Sequence, residues 1–220
     1  MINEYIGHYG WWLIFYGAFA LGASVCLILA IYANVTYRRY FCRDNAAGIT
    51  GEQAAARILE KMGNRGIPVC HKPGNKTDAY NEAEKKIQLS DAVFAYRSVG
   101  AAGVAAHTCA HLVPRQKGRG MYKFQRTAVP LAEFFPILAW PLIVIGYLFG
   151  KNWILVNFGI LCFLFALLLR LITLPFEYST ALRAQSLLAD AGIAAEDELL
   201  GIKKLLRASA LGYLAKALGI

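Results

Sequence analysis

The sequence predicts a mainly α-helical integral membrane protein, with three transmembrane helices, further helices outside the lipid and a small β element. Three observations carry this. Of the 220 residues, 57% are hydrophobic and only 17% charged, with a mean hydropathy of +0.42; soluble domains average about 25% charged and ~45–50% apolar. Three segments are each long and apolar enough to cross a hydrocarbon core of ~30 Å at ~1.5 Å per residue. The positive charge is concentrated in one stretch: Asn34 to Thr127 holds sixteen Lys and Arg against seven Asp and Glu, a surplus of nine that equals the net charge of the whole chain.

The first span is expected at about 11–33, "WWLIFYGAFALGASVCLILAIYA", which contains no charged residue. It has no basic stretch before it, and basic "YRRYFCR" follows it. Both features, and its length, argue for a retained anchor rather than a cleaved signal. The second span is expected at about 128–149 and carries Glu133; the third at about 153–174 carries Arg170. Only "GKN" and its neighbours separate them, so they form a tight hairpin. The positive-inside rule then places the N-terminus and the hairpin tip outside, and both the 34–127 region and the 175–220 tail in the cytoplasm. The location expected is the plasma or inner membrane, and the surplus charge also favours anionic lipid. No module with interleaved basic and aromatic residues suggests nucleic acid. The five cysteines form no CxxC pair, so free thiols are expected.

Between the spans, "TGEQAAARILEKMG" (50–63) reads as an amphipathic helix with apolar Ile58, Leu59 and Met62, and Thr50 with Gln53 suits a capping box. "IPVCH" and "KKIQLS" read as short strands of a small sheet. "SVGAAGVAAHTCAHLV" reads as a helix of small residues that ends before Pro114, and "PRQKGRGMYKFQR" as a basic loop. The tail predicts a helix from near Pro175 to Gly192 and another over about 196–218. In the latter, Leu199, Ile202, Leu205 and Leu206 share a face, which suits either the membrane surface or packing under the preceding small-residue helix. With no repeat and no low-complexity linker, 1–220 is expected to form one membrane-integrated domain.

The chemistry centres on "HTCAH". His107 and His111 stand four apart, so they share a helix face one turn apart. That spacing allows both imidazoles to reach one Zn²⁺ at ~2.0–2.1 Å. In the zinc-peptidase signature H-E-x-x-H the residue after the first histidine is the general base; here it is Thr108. An H-x-x-x-H pair by itself is equally compatible with two packed histidines and no metal. Cys109 points to another face of the helix and reads as a small buried residue. Glu133, an ionisable group near the start of a span, is a weak candidate for a relocated base. His8 and His71 read as solvated rather than ligating.

The order and wording of several stretches resemble the YugP-like family of membrane zinc metallopeptidases over nearly the whole chain. They are "TGEQAAARILEKMG", "TDAYNEAEKKIQLS", "SVGAAGVAAH", "TAVPLAEFF", "LITLPFEYSTALRA" and "RASALGYLAKAL". The resemblance implies a gluzincin-like motif helix, Zn²⁺ as cofactor, His107 and His111 as two ligands and Glu177 as the third. It also exposes departures: Thr108 replaces the catalytic glutamate, Ala110 a glycine, Pro114 a glutamine and Ala79 a histidine.

Threonine cannot serve as the base, because its hydroxyl does not take up a proton near neutral pH; general-base action is worth roughly 10²–10⁴-fold. The expectation is therefore a pseudoprotease that scaffolds or binds protein partners in a membrane complex, with membrane lipid around it and no nucleic acid. One alternative is an active metallopeptidase with a relocated base, and another is a metal-free structural subunit.

Overall fold

The computed structural model describes residues 2–74, 77–112, 119–149 and 152–218, with side chains omitted for 2–11 and 119–126. Pro114, expected to end the motif helix, and the tip residues 150–151 lie outside the described residues, as does the side chain of His8. The chain forms two compact units, each discontinuous in sequence. One, the span unit, comprises 1–31, 124–174 and 211–220; the other, the site unit, comprises 32–123 and 175–210.

Three helices carry the apolar segments: α1 (Ile2–Phe41), α5 (Arg119–Leu148) and α6 (Trp153–Asp190). Each is long and apolar enough to cross a membrane, so the three expected spans are present. The helices overrun the expected spans: α1 extends from Ile2 to Phe41 rather than over about 11–33, and two further boundaries differ. The basic stretch after Pro114 is helical from Arg119 onward, where Arg and Lys, good helix formers, extend the span backward. The third span also does not stop at Leu174, because α6 runs through Pro175 to Asp190. A helix-interior proline costs about 3 kcal/mol; here the continuation buries Ala181, Ala184 and Leu188, which offsets that cost.

Within the span unit, α5 and α6 approach to backbone contact at two glycines. A Cβ on Gly159 would lie 2.8 Å from the Ala139 carbonyl oxygen, and one on Gly146 would lie 2.8 Å from Leu155 Cβ. Small residues of this kind allow helices to pack in lipid, where burial of apolar surface gives no drive to associate. Gly159→Leu is expected to separate the hairpin, measured as a collapse of the detergent-solubilised protein's melting transition; an unchanged transition would refute the close packing.

Arg170 is 1% exposed. Its guanidinium donates to the Ala132 carbonyl at 3.1 Å and to the Tyr213 carbonyl at 3.4 Å, and its Cζ lies 4.7 Å from the Tyr213 ring centroid. Two more donors meet the same end of the chain: Cys26 Sγ donates to the Leu214 carbonyl at 3.4 Å and Trp140 Nε1 to that of Leu218 at 2.8 Å. These carbonyls end α7 (Glu196–Ala215) and the 3₁₀ turn after it, Lys216–Leu218. The last carbonyls of a helix lack intrahelical partners, and a cation suits the negative end of its dipole. Arg170 supplies both.

The site unit is built around α4 (Val99–Ala110), whose residues other than His107 are all buried. Ser98 caps it, its side chain accepting from the Ala101 amide. The small residues read from the sequence let three neighbours close in. A Cβ on Gly100 would lie 2.4 Å from the Phe41 ring, and one on Gly103 would touch Leu205 and Ile202. Cys109 packs against Ala55 of α2 (Gly51–Lys61). Thr50 and Gln53 form the expected capping box of α2. Ile202, Leu205 and Leu206 are buried in the same core, so α7 packs under the motif helix, one of the two arrangements its pattern allowed. The small sheet runs in the order β1 (Val69–His71), β3 (Lys86–Leu89), β2 (Ala79–Asn81). β3 is parallel to β1 and antiparallel to β2, with Ile87 opposite both Val69 and Tyr80. Ile87 and Leu89 point into the core, and the short helix α3 (Asp91–Phe94) leads on towards α4.

Candidate metal centre

His107 stands in the last turn of α4 and His111 is its C-terminal cap, still in helical conformation. The rings therefore meet edge to face one turn apart, with centroids 4.8 Å apart and planes at 84°. Glu177 reaches them from α6, its Oε2 3.5 Å from His107 Nε2. One ligand atom from each of the three residues lies within 4.8 Å of the others. Donors held at ~2.1 Å around a tetrahedral ion stand roughly 3.4 Å apart. The His107–Glu177 pair already has that spacing, and no other pair exceeds it by more than about 1.4 Å.

The electrostatics suit a cation. The side chains of His107 and Glu177 are only 17% and 14% exposed. Burial, and then the neighbouring His107, push His111 down to about 4 against the opposing pull of Glu177. His111 is thus neutral at neutral pH, with a lone pair available. His107 turns Nε2 towards Glu177, while its Nδ1 is buried without a hydrogen-bond partner. Two imidazoles and one carboxylate, with His107 Nε2 already 3.5 Å from the carboxylate oxygen, fit Zn²⁺.

The other candidates fall elsewhere. Thr108 is 3% exposed and its hydroxyl donates to the Val104 carbonyl at 3.0 Å. It is a satisfied core residue of α4. Cys109 is fully buried, and burial raises its thiol to about 12, so it is neither nucleophile nor ready ligand. Glu133 belongs to the span unit, where its side chain is exposed and its charge acts on Arg170. His71 pairs with Asp91 on the surface, and its ring lies tilted against that of Phe94.

Sequence reading passed over Asp78. Its carboxylate accepts from the Ser90 amide at 2.8 Å and from the Ser90 hydroxyl at 3.0 Å, and burial raises its pKa. It ties the start of β2 to the start of α3. The available signal was a lone acid before a short polar strand, which is ordinary in a loop.

A family model described as "Putative neutral zinc metallopeptidase" matches residues 12–220. The chain belongs to this zinc metallopeptidase family. A relative, "Putative membrane protease YugP" of Bacillus subtilis (strain 168), is 32% identical over 205 residues, 93% of this chain and 90% of the relative. No solved structure matches. Family membership and the three apolar helices together make this a membrane protein of zinc-metallopeptidase descent.

Proposed function

We propose that this family member is a membrane-embedded pseudoprotease: it holds a zinc ion but does not cleave peptides, and it serves as a binding or scaffold subunit for a protein partner. The observation that carries the reading is Thr108. The family's proton acceptor is replaced by a hydroxyl that is buried and already bonded to the helix carbonyl of Val104. His107, His111 and Glu177 would hold the metal. When bound, zinc supplies a Lewis acid that polarises water or a carbonyl. The chain's own contribution is to place two imidazoles and a carboxylate around one point, largely screened from water. The relocated-base alternative names Glu133, an exposed carboxylate of the span unit that is not one of the three converging residues.

The test is peptidase activity of the purified wild-type protein on an unfolded membrane substrate, with and without chelator. The expected result is no chelator-sensitive cleavage; robust cleavage that disappears in Glu133→Gln would establish a relocated base.

The orientation proposed is N-terminus outside and site unit in the cytoplasm, from the charge surplus of residues 34–127. Cys42 is the suitable probe because it is exposed, whereas Cys109 is buried and would be silent from either side. An impermeant maleimide is expected to leave Cys42 unlabelled in intact cells and to label it once they are opened. Labelling in intact cells would reverse the topology.

A further inference from the structure

Away from the metal centre, Arg57, Glu60, Lys61 and Arg65 line a groove of about 550 Å³ together with Ala191. We infer that this groove binds a phosphate-bearing anion. Two helix ends build it. α2 ends in a left-handed glycine, Gly63 at φ 73°, with the Gly63 amide donating to Glu60 and the Asn64 amide to Leu59. α6 ends the same way at Gly192, φ 63°, with the Gly192 amide donating to Ala189 and the Ile193 amide to Leu188. These are Schellman turns. The first turns the chain back after α2, so that Arg65 lines the groove beside Arg57 and Lys61.

Cations at helix C-termini have an ordinary explanation, since each dipole presents about half a negative charge there. The magnitudes decide against it as the whole account. Two helix ends amount to about one negative charge, whereas three cations and the single carboxylate Glu60 give the lining a surplus of two positive charges. Glu60 is engaged by Arg65. Arg57 and Lys61 have no ion pair or hydrogen bond among the described residues. They stand four apart on one helix, where like charges repel and weaken it. Arg57 also sits a full turn before the helix end, where the dipole benefit has faded. Two unpaired, exposed cations one turn apart along a concavity, one of them an arginine with a planar fork of donors, match a phosphate group. The phosphate could be a lipid headgroup or a soluble phosphate, and the chemistry at the groove is common to both.

The test uses the full-length protein in nanodiscs of zwitterionic lipid, with inorganic pyrophosphate as probe in calorimetry. Wild type is expected to bind it. Arg57→Ala/Lys61→Ala is expected to weaken binding at least tenfold, while Arg38→Ala/Arg39→Ala, which removes equal charge elsewhere, leaves it unchanged. Loss of pyrophosphate binding to nanodiscs containing phosphatidylglycerol would identify the headgroup as occupant; retained binding there would identify a soluble phosphate. No binding by wild type, or equal loss in both double variants, overturns the inference.

Discussion

Thr108→Glu is expected to leave the protein without peptidase activity and to make it less stable. The position is 3% exposed in a helix buried at every residue but His107, and its hydroxyl is held by the Val104 carbonyl. A carboxylate there enters the core without a partner, at a cost of about 3–5 kcal/mol. Restored chemistry would need more than the right residue type. A general base must come within roughly 2.6–3.2 Å of the proton it takes, and a misplacement of about 1 Å costs ~10²-fold. The resemblance also marks Ala110 and Pro114 as departures, so on the proposed reading more than one position would have to change to restore a base. The readouts are cleavage of an unfolded membrane substrate and the melting transition of the metal-free protein. Chelator-sensitive cleavage rising about 10²-fold above wild type, with the melting transition unmoved, would show a site still shaped for catalysis.

Removing one ligand is expected to remove the metal. Wild type should purify with about one zinc per chain, and His107→Ala or Glu177→Gln should weaken zinc binding by roughly 10²-fold or more, since even losing a residue that merely orients a ligand costs 10–100-fold. Zinc at about 100 times its dissociation constant stabilises the folded state by about 2.7 kcal/mol, so added zinc should raise the melting temperature of wild type and not of the variants. His71→Ala is the control, because His71 pairs with Asp91 on the surface and is not one of the three converging residues. Equal zinc content in wild type and Glu177→Gln would remove Glu177 from the site. Zinc absent from wild type even after reconstitution would leave the three residues as a packed polar cluster and refute the metal-binding half of the proposal.

Much of this protein is local, and the local parts were legible. Hydropathy located three spans because lipid imposes the same demand on every residue of a crossing helix. The capping box at Thr50 and Gln53 was visible because it involves groups three residues apart. His107 and His111 share a face by helix periodicity alone, and the motif's wording marked Thr108 as the departure.

Other features depend on groups far apart in sequence. Pro175 reads as a helix boundary, yet α6 passes through it because residues beyond it bury against a core that the local pattern does not reveal. The amphipathic pattern of α7 fitted a lipid surface and a protein core equally, and Gly103 facing Ile202 and Leu205 decided for the core. Glu177 lies 66 positions beyond His111, and only the fold brings its carboxylate within 3.5 Å of His107. Arg170, an isolated charge in an apolar run, gained its meaning only when the carbonyls of Ala132 and Tyr213 were found around it. The sequence by itself thus determined the membrane class, most of the helices and the spacing of the two histidines around Thr108. The tertiary structure decided which distant groups share one point, since periodicity sets the face a residue occupies but not what meets that face.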